Sequence, residues 1–316
     1  VKYRRLGNTG LKVSEISLGS WLTYGATVDT DIARNTMLKA YDMGVNFFDT
    51  ANVYARGEAE KVVGKILKEI PRSSYVLASK VFWPMGEGPN DRGLSRKHVM
   101  EQCDASLQRL GLDYLDIYYC HRFDPETPVE ETLRALDDLV TQGKVRYVGV
   151  SEWSAAQIVE GVHVAKAFNF DPIVVNQPLY NMLSPKIEED ILPYSSKYGI
   201  GTVAFSPLAQ GVLTGKYLGV SDIPAGSRAA DETGSRFIER FLTQDVLDRV
   251  KQLKALAEEQ GMSLAQFSLA WVLRRQEVSS ALIGATKPEQ VEENLKAIEF
   301  EIEAEVWQQV DEILNS

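Results

Sequence analysis

Tyr114-Leu-Asp-Ile-Tyr-Tyr119 and Val145-Arg-Tyr-Val-Gly-Val150 are short runs rich in β-branched and aromatic residues. Between them Leu133, Leu136, Leu139 and Val140 recur at i, i+3, i+6 and i+7, the spacing of one helix face. Strand, amphipathic helix, strand is a βαβ unit. The same alternation continues on both sides. Val13–Leu18, Val45–Phe48 and Tyr75–Ala78 precede it, and Ile173–Val175, Gly201–Phe205 and Ser280–Ile283 follow, which makes eight runs. A second helical stretch carries Val99, Cys103, Leu107 and Leu110, and Asp31, Ser95 and Ser154 stand where helix N-caps belong. Eight alternations predict a closed parallel (β/α)₈ barrel (the TIM barrel), with the open doubly wound sheet as the alternative. Barrels of this length are routinely one unit, so residues 1–316 are expected to form a single domain.

Before the first run, Tyr3–Leu11 ends in Gly7-Asn8-Thr9-Gly10, which predicts a small hairpin closing the barrel's bottom. After the eighth, Ala304–Leu314 has helical spacing and is expected to pack outside. Two connections are long and rich in glycine and proline: Phe82–Leu94 and Pro207–Phe241. Loops of that length inside a compact domain are usually functional lids or disordered.

Composition narrows the function. The hydrophobic fraction of 44% and charged fraction of 25% are those of a globular protein. The net charge of −10 and pI of about 5.0 argue against nucleic acid or an anionic membrane as the main partner. No apolar run approaches the ~18 residues of a membrane span. The first twenty residues carry scattered charges and no apolar core of a secretory signal. Cys103 and Cys120 make no disulfide framework, so reduced thiols and a cytoplasmic location are expected. With three histidines and no C-x-x-C or H-E-x-x-H, a protein-built metal site is not expected. Gly199-Ile-Gly-Thr-Val-Ala204 has the letters of a dinucleotide fingerprint but opens a strand-like run instead of a helix.

In such a barrel the site lies at the carboxyl ends of the strands. Close behind successive runs come Asp49 with Tyr54, then Lys80, His121, Ser151, Asn176 with Gln177, Ser206, and Thr286. Aspartate, tyrosine, lysine and histidine together suit proton transfer to an oxygen. A nearby ammonium lowers a phenol's pKa, a carboxylate holds the ammonium in place, and a histidine can donate to a carbonyl oxygen. Each residue alone is more often a cap, a packing group or a solvated charge; their coincidence on one rim favours carbonyl reduction. Lys80 as the Schiff-base lysine of a barrel aldolase is the rival. Phe267, Trp271 and Trp307 read as packing residues, and Cys120 as structural. Trp21, Phe82 and Trp83 follow strands on the rim and stand equally for core edge and substrate wall.

These residues also carry a resemblance. Gly44-Val-Asn-Phe-Phe-Asp49-Thr-Ala-Asn-Val-Tyr54 and the opening Tyr3 to Trp21 resemble signatures of the aldo-keto reductase superfamily. Ser79-Lys80, Tyr119-Cys-His121, Gly149-Val-Ser151, Asn176-Gln177, Phe205-Ser-Pro-Leu208 and Gly284-Ala-Thr-Lys-Pro-Glu-Gln-Val-Glu-Glu-Asn294 continue it in order over essentially the whole chain. Arg92 to His98 and Asp124 to Thr132 resemble the branch that holds the β subunits of voltage-gated potassium channels and their bacterial relatives.

The resemblance implies reduction of aldehydes or ketones by NADPH without metal. Asp49, Tyr54, Lys80 and His121 fall on the catalytic tetrad, with Tyr54 as proton donor. Phe205 falls where a ring stacks on the nicotinamide, and Ser151 and Gln177 where its carboxamide is held. Ser206, Pro207, Leu208, Gly211 and Lys216 match the pyrophosphate-side loop. Arg228, Gly284, Thr286, Gln290, Glu293 and Asn294 match the adenosine end, and Ser20 and Trp21 also fall at the cofactor. Trp21, Tyr54, Phe82, Trp83 and His121 are the expected substrate contacts. Channel β subunits carry Asn at the position of His121, so the histidine favours an enzyme. Only Lys216 and Arg228 are left to hold a 2′-phosphate, which leaves NADH as the second choice of cofactor. The alternative function is a nicotinamide-binding regulatory subunit that senses redox state through a partner protein. This branch often assembles through its helices, so the resemblance is compatible with a homo-oligomer.

Overall fold

The computed structural model describes residues 1–25, 28–217, 219–220, 222–224, 227–230 and 234–315, and the main chain alone of Arg228. Strands β1 (Tyr3–Arg5) and β2 (Lys12–Ser14) pair antiparallel as a hairpin. Eight parallel strands follow: β3 (Ile16–Gly19), β4 (Phe47–Asp49), β5 (Val76–Val81), β6 (Leu115–Cys120), β7 (Val145–Ser151), β8 (Ile173–Gln177), β9 (Gly201–Phe205) and β10 (Val278–Gly284). They close in chain order, β10 pairing with both β9 and β3. The chain is a (β/α)₈ barrel, and the doubly wound alternative falls because no edge strand is left.

Helices α1 (Thr30–Asp42), α2 (Glu58–Leu67), α3 (Arg96–Leu110), α4 (Val129–Thr141), α5 (Ala155–Phe168) and α6 (Ile191–Lys197) join successive strands. Between β9 and β10 lie α7 (Ser235–Ile238), α8 (Gln244–Glu259) and α9 (Leu264–Leu273). Then α10 (Pro288–Leu295) packs beside α1, and α11 (Ala304–Asn315) lies outside α8. Ser95 and Ser154 cap α3 and α5 as expected, Ser154 within a capping box with Gln157. Such caps contribute about 1 kcal/mol each. The cap of α1 is Asp29 and not Asp31: the Asp29 carboxylate accepts from the Asp31 N–H, and Asp31 lies in the first turn.

The run Val13–Leu18 is not one strand. It breaks at the buried Glu15, which Arg4 pairs at 2.7 Å, so Val13 belongs to the hairpin and Ile16–Gly19 to the barrel. Leu6 and Val13 of the hairpin plug the amino-terminal end, packed with Phe47, Ile117, Tyr119, Val175 and Val203 in the barrel interior. Gly7 makes this approach feasible: its φ is +56°, and a Cβ there would lie 2.3 Å from the Gly199 carbonyl oxygen. Phe267 and Trp271 are core, Trp307 packs on Phe267 at 5.2 Å, and both cysteines are buried and unbridged. Burial pushes the Cys120 thiol up to about 12, so it stays a thiol.

Candidate active site

Strand side chains alternate between barrel interior and helix layer. Phe47, Ala78, Tyr119, Val175 and Val203 fill the interior. Two residues further toward the carboxyl ends stand Asp49, Lys80, His121, Gln177 and Phe205, and Ser151 stands two beyond Gly149. The period of two therefore delivers six polar or aromatic groups to one layer at the barrel mouth. Asn176 is the exception among the rim residues read from sequence. It lies one residue from Gln177, so alternation turns it to the helix side, where both amide atoms are buried without a hydrogen-bond partner.

Lys80 is fully buried, and its three N–H donors are all used. One goes to Asp49 Oδ1, one to the Thr50 carbonyl at 2.9 Å and one to Tyr54 Oη at 3.2 Å. Gln177 Nε2 donates to the other Asp49 oxygen at 3.0 Å. Behind β5, Ser79 donates to the buried Glu60 of α2 at 2.6 Å, and Arg109 of α3 pairs with the same carboxylate at 2.5 Å. Strand pairing also runs past the end of β4: Thr50 N–H reaches the Ala78 carbonyl, and Asn52 N–H the Lys80 carbonyl. This fixes the helical turn Tyr54–Gly57 over the lysine, with Ala55 and Arg56 in left-handed conformations.

Burial is the largest influence on Lys80 and works against its charge. The Asp49 carboxylate, then Tyr54, outweigh it and raise the Lys80 pKa. Burial raises the Asp49 carboxyl above the usual range, opposed by Lys80 and Gln177. Tyr54 differs from the expectation of a lowered phenol. Lys80 and Arg122 do favour the phenolate, but burial is stronger and the pKa is raised. Burial, then Lys80 and Arg122, hold His121 well below the ordinary histidine value. At neutral pH the centre is an ammonium–carboxylate pair, a protonated phenol and a neutral imidazole. An ammonium with every donor engaged has no lone pair for imine formation, which removes the basis of the aldolase rival.

The imidazole meets the Tyr54 ring edge-on at 5.7 Å and faces Trp83 at 6.3 Å. Phe82 packs on Trp83 at 5.1 Å, and Trp21 lies 6.5 Å from Tyr54. Trp83 is 38% exposed. The Phe82–Leu94 connection that carries it is pinned: Asp124 accepts from Leu94 N–H, and Asp91 from Gly88 N–H. Two residues at this wall were not anticipated. Phe237 of α7 packs edge-on against Trp21 at 4.9 Å, and Arg122 lies over Trp83 at 5.6 Å. Phe237 lies on the four-residue α7, too short to show a periodic pattern, so no local signal marks it. Arg122 had one: it is the cation directly behind His121.

The opposite side of the mouth fits a dinucleotide. Gly19 and Gly284 are register partners, and a Cβ at Gly284 would meet nothing closer than Thr23 Cγ2 at 3.9 Å. Ser151 Oγ donates to the Gln177 carbonyl at 2.8 Å, and Phe205 is half-buried at the mouth. Beyond it Ser206, Ala209, Gln210 and Gly211 all have positive φ, a strained backbone of the kind that gathers at ligand clamps. A Cβ at Gly211 would lie 3.3 Å from Lys216 Nζ, and Lys216 has no ion-pair partner among the described residues. Pro207 is buried and Leu208 half-buried in this turn. The N-terminus of α10 has no side-chain cap, and exposed Lys287 precedes it, which suits an anion. Thr286 N–H and Oγ1 both donate to Gln290 Oε1, Glu293 accepts from Gln266, and Asn294 is buried. Ser20 Oγ is engaged with Thr50 Oγ1 at 2.9 Å. The Arg228 side chain lies outside the described residues.

Comparisons with known proteins bear on this geometry. The model of the aldo/keto reductase family matches residues 15–315. The chain is 46% identical over 302 residues to probable voltage-gated potassium channel β subunits of Oryza sativa subsp. japonica and Arabidopsis thaliana, covering 95% of this chain and 92% of each relative. It is 45% identical over 325 residues to a putative voltage-gated potassium channel β subunit of Schizosaccharomyces pombe, covering all of this chain and 94% of the relative.

Proposed function

Because the chain belongs to the aldo/keto reductase family, we propose that it reduces an aldehyde or ketone to the alcohol with NADPH, Tyr54 delivering the proton. The observation that carries this reading is the buried ammonium shared between Asp49 and the Tyr54 hydroxyl. The chemistry that NADPH would supply, when bound, is a hydride for the carbonyl carbon. Negative charge then grows on the carbonyl oxygen, and the phenol gives that oxygen its proton. An alkoxide is more basic than a phenolate, so a raised phenol pKa still permits downhill transfer. Lys80 stabilises the phenolate left behind, and Asp49 keeps Lys80 charged. Neutral His121 holds the substrate oxygen by a hydrogen bond. Ser151, Gln177 and Phe205 hold the nicotinamide end. Ser206, Pro207, Leu208, Gly211 and Lys216 take the pyrophosphate side; Arg228, Thr286, Gln290 and Asn294 take the adenosine end. In this reading residues 1–316 work as one domain in the cytoplasm on a small carbonyl compound.

The names of the relatives favour a second reading, a nicotinamide-binding subunit that reports redox state to a partner protein. One experiment separates the two: turnover of an aldehyde panel by wild type and Tyr54→Phe, with NADPH affinity measured in parallel. Carbonyl reduction predicts a loss of about 10²–10⁴-fold in kcat with cofactor affinity retained. Wild type that binds NADPH and turns over no aldehyde would favour the regulatory subunit. A variant within threefold of wild-type turnover would exclude Tyr54 as the donor.

A further inference from the structure

Seven arginines with described side chains are half-buried. Six of them hold a carboxylate: Arg4, Arg72, Arg109, Arg249, Arg274 and Arg275. Arg122 is the seventh, and it has no carboxylate partner among the described residues. That is the expected pattern everywhere but here. A partly desolvated guanidinium loses hydration and is normally compensated by an anion.

The position of Arg122 is as telling as its lack of a counter-ion. It follows β6 directly behind His121, and its Nη1 donates to the His121 carbonyl at 2.6 Å. That is the one hydrogen bond to it among the described residues, so most of its five N–H donors are left for a ligand. Its plane is steadied over the Trp83 ring at 5.6 Å, while Trp83 itself faces the His121 imidazole. The guanidinium is close enough to the reacting centre to influence both Tyr54 and His121. The groups suited to the dinucleotide's phosphates come from the loops behind β9 and β10, which lie across the closed barrel from β5 and β6. Arg122 and Trp83 stand behind β6 and β5, on the other side of the mouth, so the missing anion is not a cofactor phosphate. The wall between is aromatic: Trp21, Phe82, Trp83 and Phe237.

From this juxtaposition we propose that Arg122 is a specificity residue for carbonyl substrates with an aromatic body and a carboxylate, the carboxylate seated on the guanidinium while the carbonyl faces Tyr54 and His121. The inference rests on the carbonyl-reductase reading for its reaction. Guanidinium and carboxylate match in plane and donor spacing, so Arg122 can bind with two parallel hydrogen bonds. The net charge of −10 repels anions in general, so this preference must come from short-range contact.

The test is kcat/KM for 2-, 3- and 4-formylbenzoate against their methyl esters, in wild type, Arg122→Gln and Arg122→Lys. For at least one isomer wild type should prefer the acid. Arg122→Gln should lower the acid-to-ester ratio about ten- to a hundredfold, the value of a charge-assisted contact, and Arg122→Lys should restore part of it. If Arg122 only supports Trp83 and the His121 carbonyl, acid and ester fall together and the ratio stays put; that result overturns the proposal. Should wild type reduce neither compound, the wider aldehyde panel decides the reductase reading, and binding decides about Arg122. Tryptophan fluorescence titrated with benzoate and with benzamide would then show benzoate binding that Arg122→Gln abolishes, or show none and refute the site.

Discussion

Asp49→Asn removes the only carboxylate among the described residues that touches Lys80, and leaves a cation with no solvent exposure. Thr50 O and Tyr54 Oη remain as neutral acceptors. The asparagine oxygen can serve Lys80 or Gln177, whereas the carboxylate serves both. Removing one partner of a buried pair costs about 3–5 kcal/mol, because the surviving charge is left uncompensated. The sign of the pH dependence follows from the forces on Lys80. Burial is the largest and lowers its pKa; Asp49 is the largest that raises it. Without Asp49 the folded-state pKa falls below the unfolded value of about 10.4. The unfolded variant then binds more protons than the folded one, so its stability rises as pH rises toward 10. In wild type the raised pKa gives a contribution that is present at pH 7 and lost only as pH climbs through the raised value. The difference between the two proteins should therefore shrink from pH 7 to pH 9.5, by about 1.4 kcal/mol for each unit by which the variant's Lys80 pKa lies below 9.5. Urea unfolding of both proteins at both pH values measures it, and other titrating groups cancel in the difference. A loss under about 1 kcal/mol at pH 7, or a loss equal at the two pH values, would refute the account of Lys80 as a buried ammonium held by Asp49.

Three further outcomes follow from the site. The phenol is the active form and its pKa is raised above 10.0, so kcat/KM for reduction should stay level through pH 9 and fall only beyond the ordinary phenol value; a basic limb centred near pH 7 would contradict this. His121 is held well below 6.5, so an acid limb should appear only below the ordinary histidine range. Arg228→Ala should weaken NADPH about tenfold or more and NADH far less, read by fluorescence titration; equal weakening of both cofactors would move Arg228 away from the 2′-phosphate.

The barrel and the members of its mouth were legible in the chain because both depend on local rules. Strand and helix periods are written in neighbouring residues, and parallel closure places the ends of all strands on one rim. Asp49, Lys80, His121 and Gln177 could thus be brought together without coordinates. Tertiary structure alone decided the rest, because burial and pairing are made by residues distant in sequence. The run Val13–Leu18 contains Glu15, but only the fold shows that this residue finds Arg4 and that the pair divides the run between hairpin and barrel. Asn176 and Gln177 are adjacent polar letters, yet the pleat sends them to opposite faces, and only Gln177 reaches Asp49. Phe237 meets Trp21 across more than two hundred residues, because the loop behind β9 folds back over the mouth. The same holds for charge. A lysine beside a tyrosine suggests a lowered phenol, but the sign depends on how much water the fold removes, and here desolvation outweighs the ammonium. Arg122 reads as one basic residue among many; that it has no carboxylate partner among the described residues becomes visible only when every other half-buried arginine described has found one.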